Sequence, residues 1–79
     1  MVGIKKVAYS YSGDLVTTET ITYRSGVKQI TSYSYSNGLV TTESTTYTNG
    51  SYKRVRNYTN NGKVITGYTE TIQNVWYKW

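Results

Sequence analysis

The densest chemistry in the chain is the run Tyr52-Lys53-Arg54-Val55-Arg56-Asn57-Tyr58. In an extended strand alternate side chains share a face, which groups Tyr52, Arg54, Arg56 and Tyr58. Interleaved rings and guanidiniums suit single-stranded nucleic acid, the rings stacking on bases at about 1–3 kcal/mol each and the cations meeting phosphates. The same set suits a glycan gripped through ring faces, and Tyr, Trp and Arg are also enriched at protein interfaces. The strand register derived below brings Tyr47, Trp76 and Lys78 alongside. The candidate interface or ligand face is therefore Tyr47, Tyr52, Arg54, Arg56, Tyr58, Trp76 and Lys78. The plainer alternative is a strand surface on which Arg56 is occupied by Glu43.

Catalysis finds little to work with. The chain has no Cys and no His, which excludes a thiol nucleophile, an imidazole base, a disulfide scaffold and ordinary transition-metal sites. The carboxylates are Asp14, Glu19, Glu43 and Glu70, and no two of the four fall within four residues of each other. Hydroxyls are plentiful, but they have no base beyond a distant carboxylate or a Lys. The expectation is no enzyme, no catalytic residue, no cofactor and no metal.

What must position the aromatic–basic run is a set of strands. Leu, Ile and Val total 15 of 79 residues and Phe is absent, while ten Tyr, two Trp and fourteen Thr favour strands. Pro is absent and no stretch carries an apolar stripe at helical spacing. The chain reads as all-β. No 18-residue apolar run is present to span a membrane, and Met1-Val2-Gly3-Ile4-Lys5-Lys6 lacks the apolar centre of a signal peptide.

The chain also repeats itself. Tyr9-Ser-Tyr-Ser-Gly-Asp-Leu-Val-Thr-Thr-Glu19 recurs 24 residues later as Tyr33-Ser-Tyr-Ser-Asn-Gly-Leu-Val-Thr-Thr-Glu43, and Asn60-Asn61-Gly62-Lys63-Val64 continues the series. Candidate two-residue turns recur every 12 residues, at Gly13-Asp14, Ser25-Gly26, Asn37-Gly38, Asn49-Gly50, Asn61-Gly62 and Gln73-Asn74. Asn-Gly supplies the two positive φ angles of a type I′ turn, and a leading Gly suits type II′. This spacing predicts a seven-strand antiparallel meander near 3–12, 15–24, 27–36, 39–48, 51–60, 63–72 and 75–79. It forms one domain over 1–79, with hairpin repeats about 7–30, 31–54 and 55–78.

With two-residue turns throughout, Glu43 faces Arg56, Lys53 faces Glu70, Tyr47 faces Tyr52, Ile21 faces Ile30 and Tyr68 faces Trp79. The same register puts Tyr9, Tyr11, Tyr33, Tyr35 and Tyr68 on one face, expected to be the buried one. It puts Tyr23, Tyr47, Tyr52 and Tyr58 on the other, with most of the charge. Rows of Thr18, Thr20 and Thr22, with Thr42, Ser44, Thr46 and Thr48, resemble water-ordering surfaces, though Thr also pairs well across strands.

Ten-residue strands run about 33 Å, and an open sheet of that size has no second layer to bury an apolar face. The expected outcomes are a coiled sheet or small barrel, or completion by oligomerisation through exposed faces and edges.

Tyr33-Ser34-Tyr35-Ser36-Asn37-Gly38-Leu39 and Tyr9-Ser10-Tyr11-Ser12-Gly13-Asp14-Leu15 resemble the Tyr-x-Tyr-Asp-x-x-Gly-x-Leu core of Rhs/YD-type repeats. Those are tandem β-hairpins that build a continuous sheet in large shell-forming bacterial proteins. Ser12 and Ser36 stand where the family has Asp, the spacing to Gly is shorter, and the two units cover about half of the chain. The resemblance implies sheet-building hairpin repeats; it carries over nothing about toxin delivery, which needs far longer chains.

The functional expectation is a structural, self-assembling homo-oligomer, such as a virion decoration or tail component or a surface filament subunit. A small module binding a polyanion or glycan is the alternative. Strict turn spacing also fits a designed repeat sheet, against which the uneven turns and drifting third copy argue for a natural origin.

Overall fold

The computed structural model describes residues 3–74, and its conformation is set at the turns. Asn37-Gly38 has positive φ at both positions, 52° and 79°. That is the type I′ pattern, and Ser36 faces Leu39 across it. Gly13-Asp14 has positive φ at the glycine alone, 61°, as type II′ requires, and Ser12 faces Leu15. These turns join β1 (Ile4–Ser12) to β2 (Leu15–Tyr23) and β3 (Lys28–Ser36) to β4 (Leu39–Tyr47).

The remaining turns are not two-residue turns, and the cause is chemical. In Ser25-Gly26 and Asn49-Gly50 only the glycine takes positive φ, 93° and 75°, and it stands second, which suits neither primed turn. Around Ser25-Gly26 the loop lengthens to three residues. Gly26 N–H donates to Tyr23 O at 3.0 Å and Tyr23 N–H to Val27 O at 2.9 Å. Around Asn49-Gly50 it lengthens to four, and Asn49 Oδ1 accepts from Ser51 N–H at 3.0 Å. Losing both tip residues of each strand leaves the pairing beyond them unchanged. β5 (Tyr52–Asn60) then turns through Asn61–Val64 into β6 (Ile65–Asn74). There Asn60 Oδ1 accepts from Gly62 N–H at 2.8 Å, and Asn61 Oδ1 accepts from Lys63 and Val64 N–H, each at 3.0 Å. Side-chain acceptors of this kind hold a longer loop in place of a tight hairpin.

That longer loop, together with the extra residue Thr66 between the Asn60–Ile65 and Thr59–Gly67 pairs, moves β6 along β5. Gln73 and Asn74, expected as a sixth turn, are strand residues facing Lys53 and Tyr52. The expected seventh strand, 75–79, lies outside the described residues, as does Trp79, the expected partner of Tyr68. Glu43 faces Arg56 as the spacing predicts. Glu70 faces Arg56 rather than Lys53, and Tyr68 faces Tyr58. The three-residue loop sets Ile21 against Gln29 and Ile30 against Thr20 in place of the expected Ile21–Ile30 pair.

Four strands also carry an extra residue: Lys5 in β1 and Thr66 in β6 are left over near strand ends, and β2 and β4 each carry one in the repeat. Tyr11 faces Val16 while Ser10 faces Thr18, so Thr17 is left over. Tyr35 faces Val40 while Ser34 faces Thr42, so Thr41 is left over, its hydroxyl donating to Ser34 O at 3.2 Å. Both are β-bulges at the same place in the repeat.

The result is an all-β antiparallel meander, as expected, in the order β1-β2-β3-β4-β5-β6. The expected coiling or barrel closure does not occur: among the described residues β1 and β6 each have one neighbour, and the sheet is open, with extents of 40 × 33 × 16 Å. No hydrophobic residue is buried among those described; the buried residues are Thr31, Thr45 and Ser51.

Gly38→Ala places a side chain at φ 79° and is expected to lower unfolding free energy by about 1–2 kcal/mol. Gly67→Ala is expected to change it by a few tenths at most, because the new Cβ meets only Thr59 Oγ1, at an ordinary 3.5 Å. Urea titration of both variants checks the contrast, and equal losses would remove turn geometry as the register-setting element.

Candidate functional site

Residues opposed across antiparallel strands share a face, and following the pairs from strand to strand assembles the site. One row runs Tyr9, Glu19, Thr31, Thr45, Arg54, Ile72. A second runs Val7, Ile21, Gln29, Tyr47, and a third Tyr33, Glu43, Arg56, Glu70. Tyr11–Val16, Tyr35–Val40 and Tyr58–Tyr68 complete the same surface. Every tyrosine among the described residues lies on this face: Tyr9, Tyr11, Tyr23, Tyr33, Tyr35, Tyr47, Tyr52, Tyr58 and Tyr68. The bulges are what gather them. Val16 and Glu19, like Val40 and Glu43, are three residues apart and yet share a face, because Thr17 and Thr41 restore the phase between them.

The rings lean on one another. Tyr47 and Tyr52 have centroids 5.3 Å apart, Tyr58 and Tyr68 5.7 Å, and Tyr23 and Tyr47 6.5 Å, all within the range of favourable aromatic pairs. At the β4–β6 end the charges interlock. Arg54 lies 3.5 Å from Glu43 and 4.0 Å from Glu70. Arg56 Nε donates to Glu70, and its guanidinium sits 4.7 Å from the centre of the Tyr68 ring. Tyr58 donates its hydroxyl proton to Glu43 at 2.7 Å. That bond to Glu43, followed by burial, raises the Tyr58 phenol above its ordinary range. Burial first, and then the charges of Glu43 and Glu19, raise Tyr33 as well. Burial and the neighbouring Tyr23 raise Tyr47. At the centre of the face Thr31 and Thr45 are buried, with their hydroxyls 3.0 Å apart.

The opposite face differs in kind. Its rows are Ser10–Thr18–Ser32–Ser44–Val55–Thr71 and Ala8–Thr20–Ile30–Thr46–Lys53–Gln73, with Lys6–Thr22–Lys28 beside them. The three strand carboxylates, Glu19, Glu43 and Glu70, are all on the tyrosine face, while Lys6, Lys28 and Lys53 are on the hydroxyl face.

Of the candidate residues, Tyr47, Tyr52, Arg54, Arg56 and Tyr58 come together on the tyrosine face; Trp76 and Lys78 lie outside the described residues. Reading the sequence with an unbroken period of two puts Glu19, Tyr23 and Glu43 on the same face as these five, as observed, but assigns Tyr9, Tyr11, Tyr33, Tyr35, Tyr68 and Glu70 to the opposite one. The signal was the Val-Thr-Thr-Glu segment, repeated at the same distance after each turn. Gln29, Thr45, Tyr47, Tyr52 and Arg54 line a depression of about 150 Å³, well below the roughly 300–1,000 Å³ of small-molecule pockets. Among the described residues there is no cluster of three or more His, Cys, Asp or Glu to hold a metal, and no helix long and apolar enough to cross a membrane. Comparison with known proteins finds no match to a family model, a curated protein or a solved structure.

The raised phenols make the sheet sensitive to alkali. The unfolded chain releases its tyrosine protons near the ordinary value of about 10, before the folded chain releases those of Tyr33, Tyr47 and Tyr58. Stability is therefore full below about pH 10 and falls as pH rises through the raised values. In Tyr58→Phe the fall above pH 10 is expected to be shallower, measured by urea unfolding across pH 8–12 with tyrosinate absorbance followed in parallel. An unchanged slope would remove Tyr58 as a contributor.

Proposed function

We propose that this chain is a non-enzymatic structural protein that assembles with copies of itself through its sheet, as a subunit of a larger body such as a virion surface or a filament. One observation carries the reading. The chain alone buries no hydrophobic residue among those described, while Tyr9, Tyr11, Tyr68 and Ile72 stand 51%, 62%, 55% and 51% exposed on a single face. A sheet gains hydrophobic stability only by setting one face against another layer, and a chain of 79 residues has little spare stability to do without one. Large apolar side chains exposed together on one face mark an interaction site. The outer backbone edges of β1 and β6, unpaired among the described residues, add a second way to join chains.

The electrostatics favour a protein neighbour over a phosphate chain. Arg54 and Arg56, the cations that a polyanion would need, already face Glu43 and Glu70. A flat tyrosine surface with paired charges has the composition of an interface core, where unpaired charge is rare and Tyr and Arg are common.

Light scattering on the untagged chain over a hundredfold concentration range tests this. The expected result is a mass above 9.0 kDa that falls on dilution together with the β-sheet circular dichroism signal. A folded 9.0 kDa monomer at every concentration would overturn the proposal, and salt-dependent oligonucleotide binding would then be the next measurement.

A further inference from the structure

The layout of the tyrosine face defines its own partner. Resting on the self-assembly reading, we infer that a second copy of the chain packs on this face, related by a two-fold axis that runs parallel to the strands between β3 and β4. This operation sets β1 against the partner's β6, β2 against its β5 and β3 against its β4, each residue at its own height along the sheet. The central row Tyr9, Glu19, Thr31, Thr45, Arg54, Ile72 then meets itself reversed. Glu19 faces the partner's Arg54, Tyr9 faces the partner's Ile72, and Thr31 faces the partner's Thr45.

Charge selects this axis. Glu43 and Glu70 are held within the chain by the Tyr58 hydroxyl and by Arg56, with Arg54 shared between them at 3.5 and 4.0 Å. Glu19 makes no ion pair among the described residues, and the reversed row brings it to the partner's Arg54 as a third carboxylate on that shared cation. A two-fold running across the strands through the same centre stacks Glu19 on the partner's Glu19 and Arg54 on the partner's Arg54, and like charges so placed are strongly disfavoured. The short Thr31 and Thr45 side chains lie at the axis, where two sheets about 10 Å apart come together. Area is sufficient: a face of 40 × 33 Å exceeds the roughly 800 Å² that each partner gives to a standard interface. The outer surface of such a pair is the Ser, Thr and Lys face on both sides.

Reciprocal variants test the arrangement. Glu19→Arg alone sets two guanidiniums against each other, the introduced one and that of the partner's Arg54. Arg54→Glu alone sets two carboxylates against each other, the introduced one and that of the partner's Glu19. Each is expected to weaken assembly at least about a hundredfold, and mixing the two in equal amounts is expected to restore the parent mass, since both contacts are then opposite in charge. Arg54 also holds Glu43 and Glu70, so a second pair guards against a folding defect. Tyr9→Lys and Ile72→Glu alter residues that are about half exposed in the single chain, and they should behave in the same way, weak apart and strong together. Circular dichroism confirms that each variant is folded, and sedimentation reports its mass. If the parent itself is monomeric, the self-assembly reading falls and this inference with it. If the parent assembles but Glu19→Arg and Tyr9→Lys assemble equally well, only the inference falls, and edge contacts carry the assembly. Single variants that dissociate but fail to recover on mixing overturn the axis along the strands.

Discussion

A β-strand has a side-chain period of two, so a single inserted residue exchanges the faces of everything beyond it. Thr17 and Thr41 are such insertions, one in each Leu-Val-Thr-Thr-Glu segment, and most of the surface chemistry depends on them. Near each turn Val16 and Val40 stand on the tyrosine face opposite Tyr11 and Tyr35. Without the extra threonine, simple alternation would put Glu19, Ile21 and Tyr23 on the face away from Tyr9, and would put Thr18, Thr20 and Thr22 beside it. The bulge instead keeps aromatics, aliphatics and carboxylates together and sends the hydroxyls to the other side. A local irregularity of the backbone is thus the source of the long-range polarity of the sheet.

Much of the fold was legible because it rests on residue type and coarse spacing. Val, Tyr and Thr made strands, and the 12-residue recurrence of Gly-containing pairs placed β1 to β5 within a residue or two of their observed limits. The Glu43–Arg56 pair was legible because a four-residue loop preserves the register of a two-residue turn. The rest depended on competition among hydrogen bonds that spacing does not encode. Ser25 does not take positive φ, so the chain chose three residues there. Asn60 and Asn61 used their side chains to hold a long loop, and the extra residue Thr66 shifted β6 by one more position, so that Glu70 reached Arg56 and Tyr68 reached Tyr58. Five of the seven candidate residues did converge, because β5 carries four of them with no bulge between. The remainder of the face came from strands whose phase the bulges had reset.

Cohesion within one chain comes from pairs rather than from a core. Each strand is held by its backbone ladder, and across the ladders stand Tyr47–Tyr52, Tyr58–Tyr68, Thr31–Thr45 and the Arg–Glu contacts. Cross-strand pairs of these kinds contribute about 0.2–1 kcal/mol each. A sum of such terms gives a sheet without the large, non-directional gain of burying apolar surface. The aromatic rings shield one another and the stems of the arginines, but Tyr9, Tyr11 and Tyr68 at the margins stay open to water.

The division of charge between the two faces follows the same logic. Burying an unpaired charge is costly, so a surface suited to contact must pair its charges before contact, or pair them through it. On the tyrosine face Glu43 and Glu70 take the first course with Arg54 and Arg56, and Glu19 is placed for the second. Lys6, Lys28 and Lys53, which have no carboxylate on their own face, stand on the hydroxyl side, where water solvates them. Lys6, Lys28 and Lys53 are then displayed outward by any pair joined through its tyrosines. Like-charged outer faces repel one another, which opposes a third layer and leaves the edges of β1 and β6 as the direction in which such an assembly can grow.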